Sequence, residues 1–181
     1  MKKIMFNDKY GLTQDVLEGR KTQTRRTFLK PGEENLLHGV TSEYLISVKS
    51  RYKVGETIAI AQPYADITTQ VDWVKCMIRK ETLGWNNKMF VRSEDMPHHI
   101  RITKIRIERL QDIKSEDCLK EGLWKAGDVG LEGTTYWYHG LVNSSFRTPQ
   151  EAYASLIDSI SGKGTWASNP YVFVYDFELI N

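Results

Sequence analysis

Ile100-Arg101-Ile102-Thr103-Lys104-Ile105-Arg106-Ile107 decides the fold. Ile100 and Ile102 alternate with polar neighbours, and Ile105 and Ile107 alternate in the opposite phase. One extra residue near Thr103-Lys104 keeps both pairs pointing inward, which is the signature of a β-bulge in a curved sheet or barrel. Downstream, Ser115 caps a short helix through Glu121, with Gly122 as its stop and Cys118 and Leu119 as its buried positions. Thr148-Pro149-Gln150-Glu151 starts a longer helix whose stripe is Ala152, Tyr153, Leu156, Ile157 and Ile160, ended by Gly162. The stretch from Tyr171 to Ile180 is apolar on both faces in its first half and reads as a central strand. Upstream, Tyr44 to Val48 and Thr57 to Ala61 read as neighbouring strands around the Val54-Gly55-Glu56 turn, and Lys88 to Arg92 as a short strand. Lys3 to Phe6 is the first strand, followed by a brief helix from Thr13, its cap, to Glu18. The segment from Tyr64 to Asn87 stays open, because Val71, Val74 and Met77 fit a helix while Thr68, Thr69 and Trp73 suit a strand. Short strands, a bulge and small connecting helices give an α+β class, a partly closed β-barrel with short flanking helices.

The chain has 181 residues, a length that suits a single domain over residues 1–181 with a core of its own. No apolar run approaches the roughly 20 residues of a membrane helix, so no membrane partner is expected. Met1 to Asp8 reaches an acid before a signal-like apolar core forms, and a cytoplasmic location is expected. Cys76 and Cys118 lack any C-x-x-C partner, and His38, His98, His99 and His139 lack the spacing of a metal site. Neither a metal nor a cofactor is expected.

Charge is uneven. Residues 1–30 hold eight Lys or Arg against three acids, while the whole chain carries only +2. The densest stretch is Gly19-Arg20-Lys21-Thr22-Gln23-Thr24-Arg25-Arg26. Gly19 closes the first helix and the β-branched Thr22 and Thr24 favour an extended exit, so these cations sit at a helix-to-strand turn. Such a segment fits a confined anionic ligand, or a solvated basic face. From Trp124 to Phe146 runs a Gly- and aromatic-rich connection in which Tyr136, Trp137 and Tyr138 either stack on a base or anchor the loop.

Leu17 to Arg26 resembles the G-R-K-T-x-T-x-R signature of the ASCH family, whose members have a PUA-like β-barrel fold. Tyr52-Lys53-Val54-Gly55-Glu56, Ile107 to Ile113 with Ser115-Glu116-Asp117, and Trp166-Ala167-Ser168-Asn169-Pro170 resemble further segments of a phage- and prophage-associated branch. The resemblance implies binding of RNA or a modified nucleoside. One bacterial branch comprises amidohydrolases that remove the acetyl group of N4-acetylcytidine. Its Lys, second Thr and helix Glu fall on Lys21, Thr24 and Glu121, with Glu116 as the alternative should the register slip. The chain departs from its nearer relatives at Ile58-Ala59-Ile60-Ala61-Gln62-Pro63-Tyr64, where many read W-V-R-E-T-W.

An amide hydrolase needs a nucleophile, a base and donors for the oxyanion. In a regular strand positions 21 and 24 face opposite sides, so Lys21 serves Thr24 only where the turn persists beyond Lys21. Neutral Lys21 also requires burial or neighbouring positive charge, which Arg20, Arg25 and Arg26 supply. The same residues support a plainer reading, a phosphate cradle in which Arg20, Arg25 and Arg26 grip anionic oxygens and Thr22 positions them without chemistry. In a third reading the arginines pair with the domain's own acids. The function expected is therefore an RNA- or modified-nucleoside-recognising protein, with amidohydrolysis of N4-acylated cytidine as its enzymatic form and a non-enzymatic RNA-binding module as the alternative.

Overall fold

The structure, a computed structural model, describes residues 1–29, 37–68, 73–126, 135–140 and 145–180. Expectations that fall on residues 30–36, on 69–72 and on the middle of the aromatic connection lie outside them, as does the side chain of Cys76. The class is α+β. A five-stranded sheet takes the order β1-β3-β4-β7-β2, built from Lys2–Ile4, Thr57–Ile60, His99–Arg109, Tyr171–Ile180 and Gln23–Thr27. β1 pairs with β3 in parallel and every other pair is antiparallel. Among the described residues no strand pairing joins the edges β1 and β2, so a barrel closed by hydrogen bonds is not formed there.

The expected bulge sits where the isoleucine phase reverses. Ile102 faces Phe177 while Lys104 faces Asp176, a register shift that leaves Thr103 unmatched. Ile100 and Ile102 are fully buried, and Ile105 and Ile107 pack half-buried against the same core. β7 lies between β4 and β2, which is why Val172 to Tyr175 are buried on both faces. β3 serves two cores by simple alternation. Ile58 and Ile60 face the main cluster, while Ala59 and Ala61 face a smaller one with Tyr64, Ile67, Val91 and Met96.

Helices flank the sheet: α1 (Leu12–Leu17), α2 (Ser42–Lys49), α3 (Trp73–Arg79), α4 (Ser115–Lys120), α5 (Pro149–Ser161) and α6 (Thr165–Ser168). α5 begins with the expected capping box of Thr148 and Glu151. Asn169 ends α6 at φ +44°, a left-handed position that asparagine tolerates, and its side-chain oxygen accepts from the Gln111 amide at 2.8 Å. The segment left open between helix and strand forms a 3-10 turn over Tyr64–Ile67 followed by α3.

Four local expectations are corrected. Tyr44 to Val48 is not a strand but part of α2, because the Thr41 side chain accepts from the Tyr44 amide and starts a helix. A five-residue apolar run cannot by itself separate the two. Lys88 to Arg92 is likewise no strand. Asn87 caps a 3-10 turn over Lys88–Phe90 by accepting from the Met89 amide at 3.0 Å. The cap of α1 is Gly11 at φ +68°, while the Thr13 hydroxyl donates to Asp8 Oδ1. Leu119 is 38% exposed, leaving Cys118 as the buried apolar residue of α4. Cys118 is a free thiol whose pKa burial pushes up to about 12, which makes it inert. Of the two readings of the aromatic triplet, anchoring is the one the fold supports: Tyr138 is buried, and β6 (Tyr136–Trp137) pairs with β5 (Trp124–Lys125). No helix among the described residues is long and apolar enough to cross a membrane.

Candidate functional site

The turn after α1 runs through Thr22, one residue beyond Lys21. Gly19 takes φ +74°, and the amides of Arg20 and Lys21 both donate to the Asp15 carbonyl at 2.9 Å. The Thr22 amide then donates to the Lys120 carbonyl at 2.8 Å, so the chain is anchored to α4 before β2 starts at Gln23. Lys21 is thereby turned inward and is only 2% exposed. Its Nζ donates to Gln23 O at 2.8 Å, to Glu121 O at 2.9 Å and to Glu121 Oε2 at 2.5 Å. Burial pushes the Lys21 pKa below the usual lysine range, against the pull of the Glu121 carboxylate.

Glu121 is the residue that follows α4, and Gly122 at φ +95° reverses the chain there. A side chain at 122 would also meet Asp15 Oδ2 at 2.9 Å, so glycine is required for space as well as conformation. Glu121 is buried and meets Lys21, whereas Glu116 is exposed on α4.

Lys21, Thr24 and Glu121 border one cavity of about 750 Å³, within the usual range for a ligand site. Thr24 and Arg25, adjacent on the edge strand β2, both border the cavity. The inner wall is apolar, with Leu12, Leu110, Leu156, Ile157 and Val172, and Lys9, Arg26 and Lys88 also line it. The Thr24 hydroxyl makes no hydrogen bond among the described residues.

The arginines divide sharply. Arg20 is spent on Asp15, at 2.6 Å, and on Glu18, and it lies over the Trp124 ring at 4.1 Å. Burial raises the Asp15 pKa in spite of that partner. Arg25 has no exposed side-chain surface and donates to Glu108 Oε1 (2.6 and 2.9 Å), Gln23 Oε1 (2.6 Å), Glu121 Oε1 (3.0 Å) and Asp117 Oδ2 (3.3 Å). Burial works against its charge, but the Glu121 and Glu108 carboxylates push its pKa up. Arg106 extends the cluster to Glu108, Asp117 and Asp176. Arg26 alone of the three is exposed, with one donor on the Met5 carbonyl at 2.7 Å. Thr22 is half-buried and contributes its backbone to the anchoring of the turn. The pairing of arginines with the domain's own acids thus holds for Arg20 and Arg25.

Sequence reasoning assigned Tyr153 to packing alone. Its ring is buried in α5, its hydroxyl has no partner among the described residues, and it borders the cavity beside Arg25, whose guanidinium lies 5.8 Å from the ring centre. Burial, followed by the Glu121 charge, pushes its pKa well up, so the hydroxyl stays protonated and is a donor. The only signal for this in the sequence was a tyrosine in an otherwise aliphatic stripe. Tyr153→Phe is expected to leave stability unchanged or raise it by up to about 1 kcal/mol, because no bond is lost. Thermal unfolding checks this, and a clear loss of stability would show that the hydroxyl is bonded.

No family model matches the chain, and no curated protein matches it either. Among solved structures, protein EF3133 from Enterococcus faecalis V583, described as a DUF984 protein, is similar over 99% of this chain and 80% of that one, at 15% identity and a TM-score of 0.43. At that level the likeness carries no argument about fold or function.

Proposed function

We propose that this chain is a single ASCH-type, PUA-like domain over residues 1–181 that takes an RNA base or modified pyrimidine nucleoside into the cavity and hydrolyses an N4-acyl amide of cytidine there. The observation that carries the reading is the buried contact of Lys21 Nζ with Glu121 Oε2 at 2.5 Å on the wall of the cavity that Thr24 also lines. The partly closed barrel is supported by Arg26, whose bond to the Met5 carbonyl ties edge strand β2 to the chain leaving β1. The free, buried Cys118 is in keeping with a cytoplasmic location.

Burial lowers the Lys21 pKa, so its ammonium gives up a proton more readily than an ordinary lysine and the neutral amine can serve as the base. That amine takes the Thr24 proton as Oγ1 bonds to the acyl carbon, and the Tyr153 hydroxyl donates to the developing oxyanion. When the intermediate collapses the C–N bond breaks, and the ring amine leaves with the proton held by Lys21. Water, deprotonated by the same amine, then cleaves the Thr24 ester and releases the carboxylic acid. Incubation with N4-acetylcytidine is expected to yield cytidine and acetate, and Thr24→Ala to abolish the reaction with the fold intact. Absence of product from the intact protein overturns the enzymatic reading for this substrate.

A non-enzymatic RNA-binding module is the second reading. It is favoured by the three donations that occupy Lys21 Nζ and by the unbonded Thr24 hydroxyl, since neither is poised on the other. It expects RNA affinity that falls steeply with salt and is untouched by Thr24→Ala.

A further inference from the structure

We propose that a second cavity, adjoining the first across Met5, Arg26 and Thr27, binds a phosphate of the ligand whose base occupies the first, so that the ligand is a nucleotide or a strand and not a free nucleoside. The choice of base rests on the reading above; the phosphate site stands on its own residues. The second cavity measures about 390 Å³, and Lys3, Arg26, Lys49 and Arg51 line it. Among the described residues no carboxylate does.

That imbalance sets this place apart in a chain of 25 cations and 23 acids. Arg20, Arg25 and Arg106 are each held by two or more carboxylates, whereas Lys49 and Arg51 are exposed and form no ion pair among the described residues. Lys3 is fixed in place by donations to the Met89 and Val91 carbonyls, both at 2.6 Å. Burial and the nearby charge of Arg51 push its pKa down, as expected where like charges are held together without a counterion. An anion relieves that repulsion, and forked arginine donors suit phosphate oxygens.

Four aromatic residues also line it, beside Ile4, Met5 and Thr27. Phe28 stacks on Phe173 at 4.1 Å, and Tyr52 meets Tyr175 edge-on at 5.2 Å. Both tyrosine hydroxyls are engaged, Tyr52 donating to the Lys3 carbonyl and Tyr175 sharing a bond with Ser50. Tyr52, Phe173 and Tyr175 are buried against their neighbours, so what the cavity offers a ligand is chiefly its cations. Arg26 lines both cavities.

The test is titration of the intact protein with a short oligouridylate over a range of salt concentrations. The variant is Lys49→Glu with Arg51→Glu. Both side chains are exposed, and the Arg51 carbonyl that accepts from Lys2 is retained. The expected result is a loss of affinity of about tenfold or more and a log–log salt slope shallower by about two, with Lys49→Ala and Arg51→Ala together giving a smaller loss. Competition by uridine 5′-monophosphate assigns the site to a nucleotide phosphate, and failure to compete assigns it to a strand phosphodiester. Unchanged affinity and slope in the charge-reversed protein, or no binding by the original chain, overturns the proposal. Failure of N4-acetylcytidine turnover overturns the reading of the first cavity and does not touch this measurement.

Discussion

Glu121→Ala is expected to destabilise the protein by about 3–5 kcal/mol, because it strands the ammonium of Lys21 and removes one acceptor of Arg25 in a site almost closed to water. Urea unfolding followed by tryptophan fluorescence measures this. Lys21 keeps only the carbonyls of Gln23 and Glu121, while Arg25 keeps Glu108, Asp117 and Gln23. The cost therefore falls mainly on Lys21. It follows that Lys21→Met combined with Glu121→Leu recovers most of the loss, since both charges leave together and apolar groups of similar size replace them. The double variant separates folding from chemistry: it is expected to be well folded and to have no amidohydrolase activity. If Glu121→Ala proves as stable as the original chain, the pair is not buried in solution and the proposed base loses its physical ground.

The legible part of this molecule is the part fixed by neighbours in sequence. The bulge at Thr103 could be read because two isoleucine pairs reverse phase within eight residues, and the α5 start because Thr148, Pro149 and Glu151 each meet a separate stereochemical need. α2 was misread because Tyr44 to Val48 is too short for its period to be diagnostic, and the decisive residue, Thr41, lies outside the run. At the site, the convergence of Lys21 with Glu121 was available only through family resemblance, since the two are 100 positions apart. The fate of Arg25 was not available at all. Its carboxylate partners lie 83 to 96 residues away on β4 and on or next to α4, and a basic turn looks the same whether its cations face a ligand or the protein's own acids. Tyr153 was hidden for a different reason. A phenol in an apolar stripe is usually packing, and only the missing partner for its hydroxyl gives it another role.

Arg25→Met is expected to be the most destabilising single change on β2, and its pH dependence is its signature. The substitution leaves Glu108, Asp117 and Glu121 close together without the cation that separates them, at a cost of about 3–5 kcal/mol near neutral pH. Burial by itself would raise the Asp117 pKa, but the hydrogen bond from Lys120 and the charges of Arg106 and Arg25 bring it below the usual carboxylate value. A carboxylate whose folded pKa is depressed contributes stability above its unfolded pKa and loses it as the pH falls through the folded one. The part of the Arg25 contribution that acts through Asp117 is therefore full above about pH 5 and fades below about pH 4. The stability gap between the original chain and Arg25→Met should narrow as the pH is lowered through that window, because protonated carboxyls no longer require the guanidinium. Urea midpoints measured from neutral to acidic pH read this directly. A gap that stays constant across the window would mean that Arg25 stabilises the fold by packing against Tyr153 and not by neutralising the acids around it.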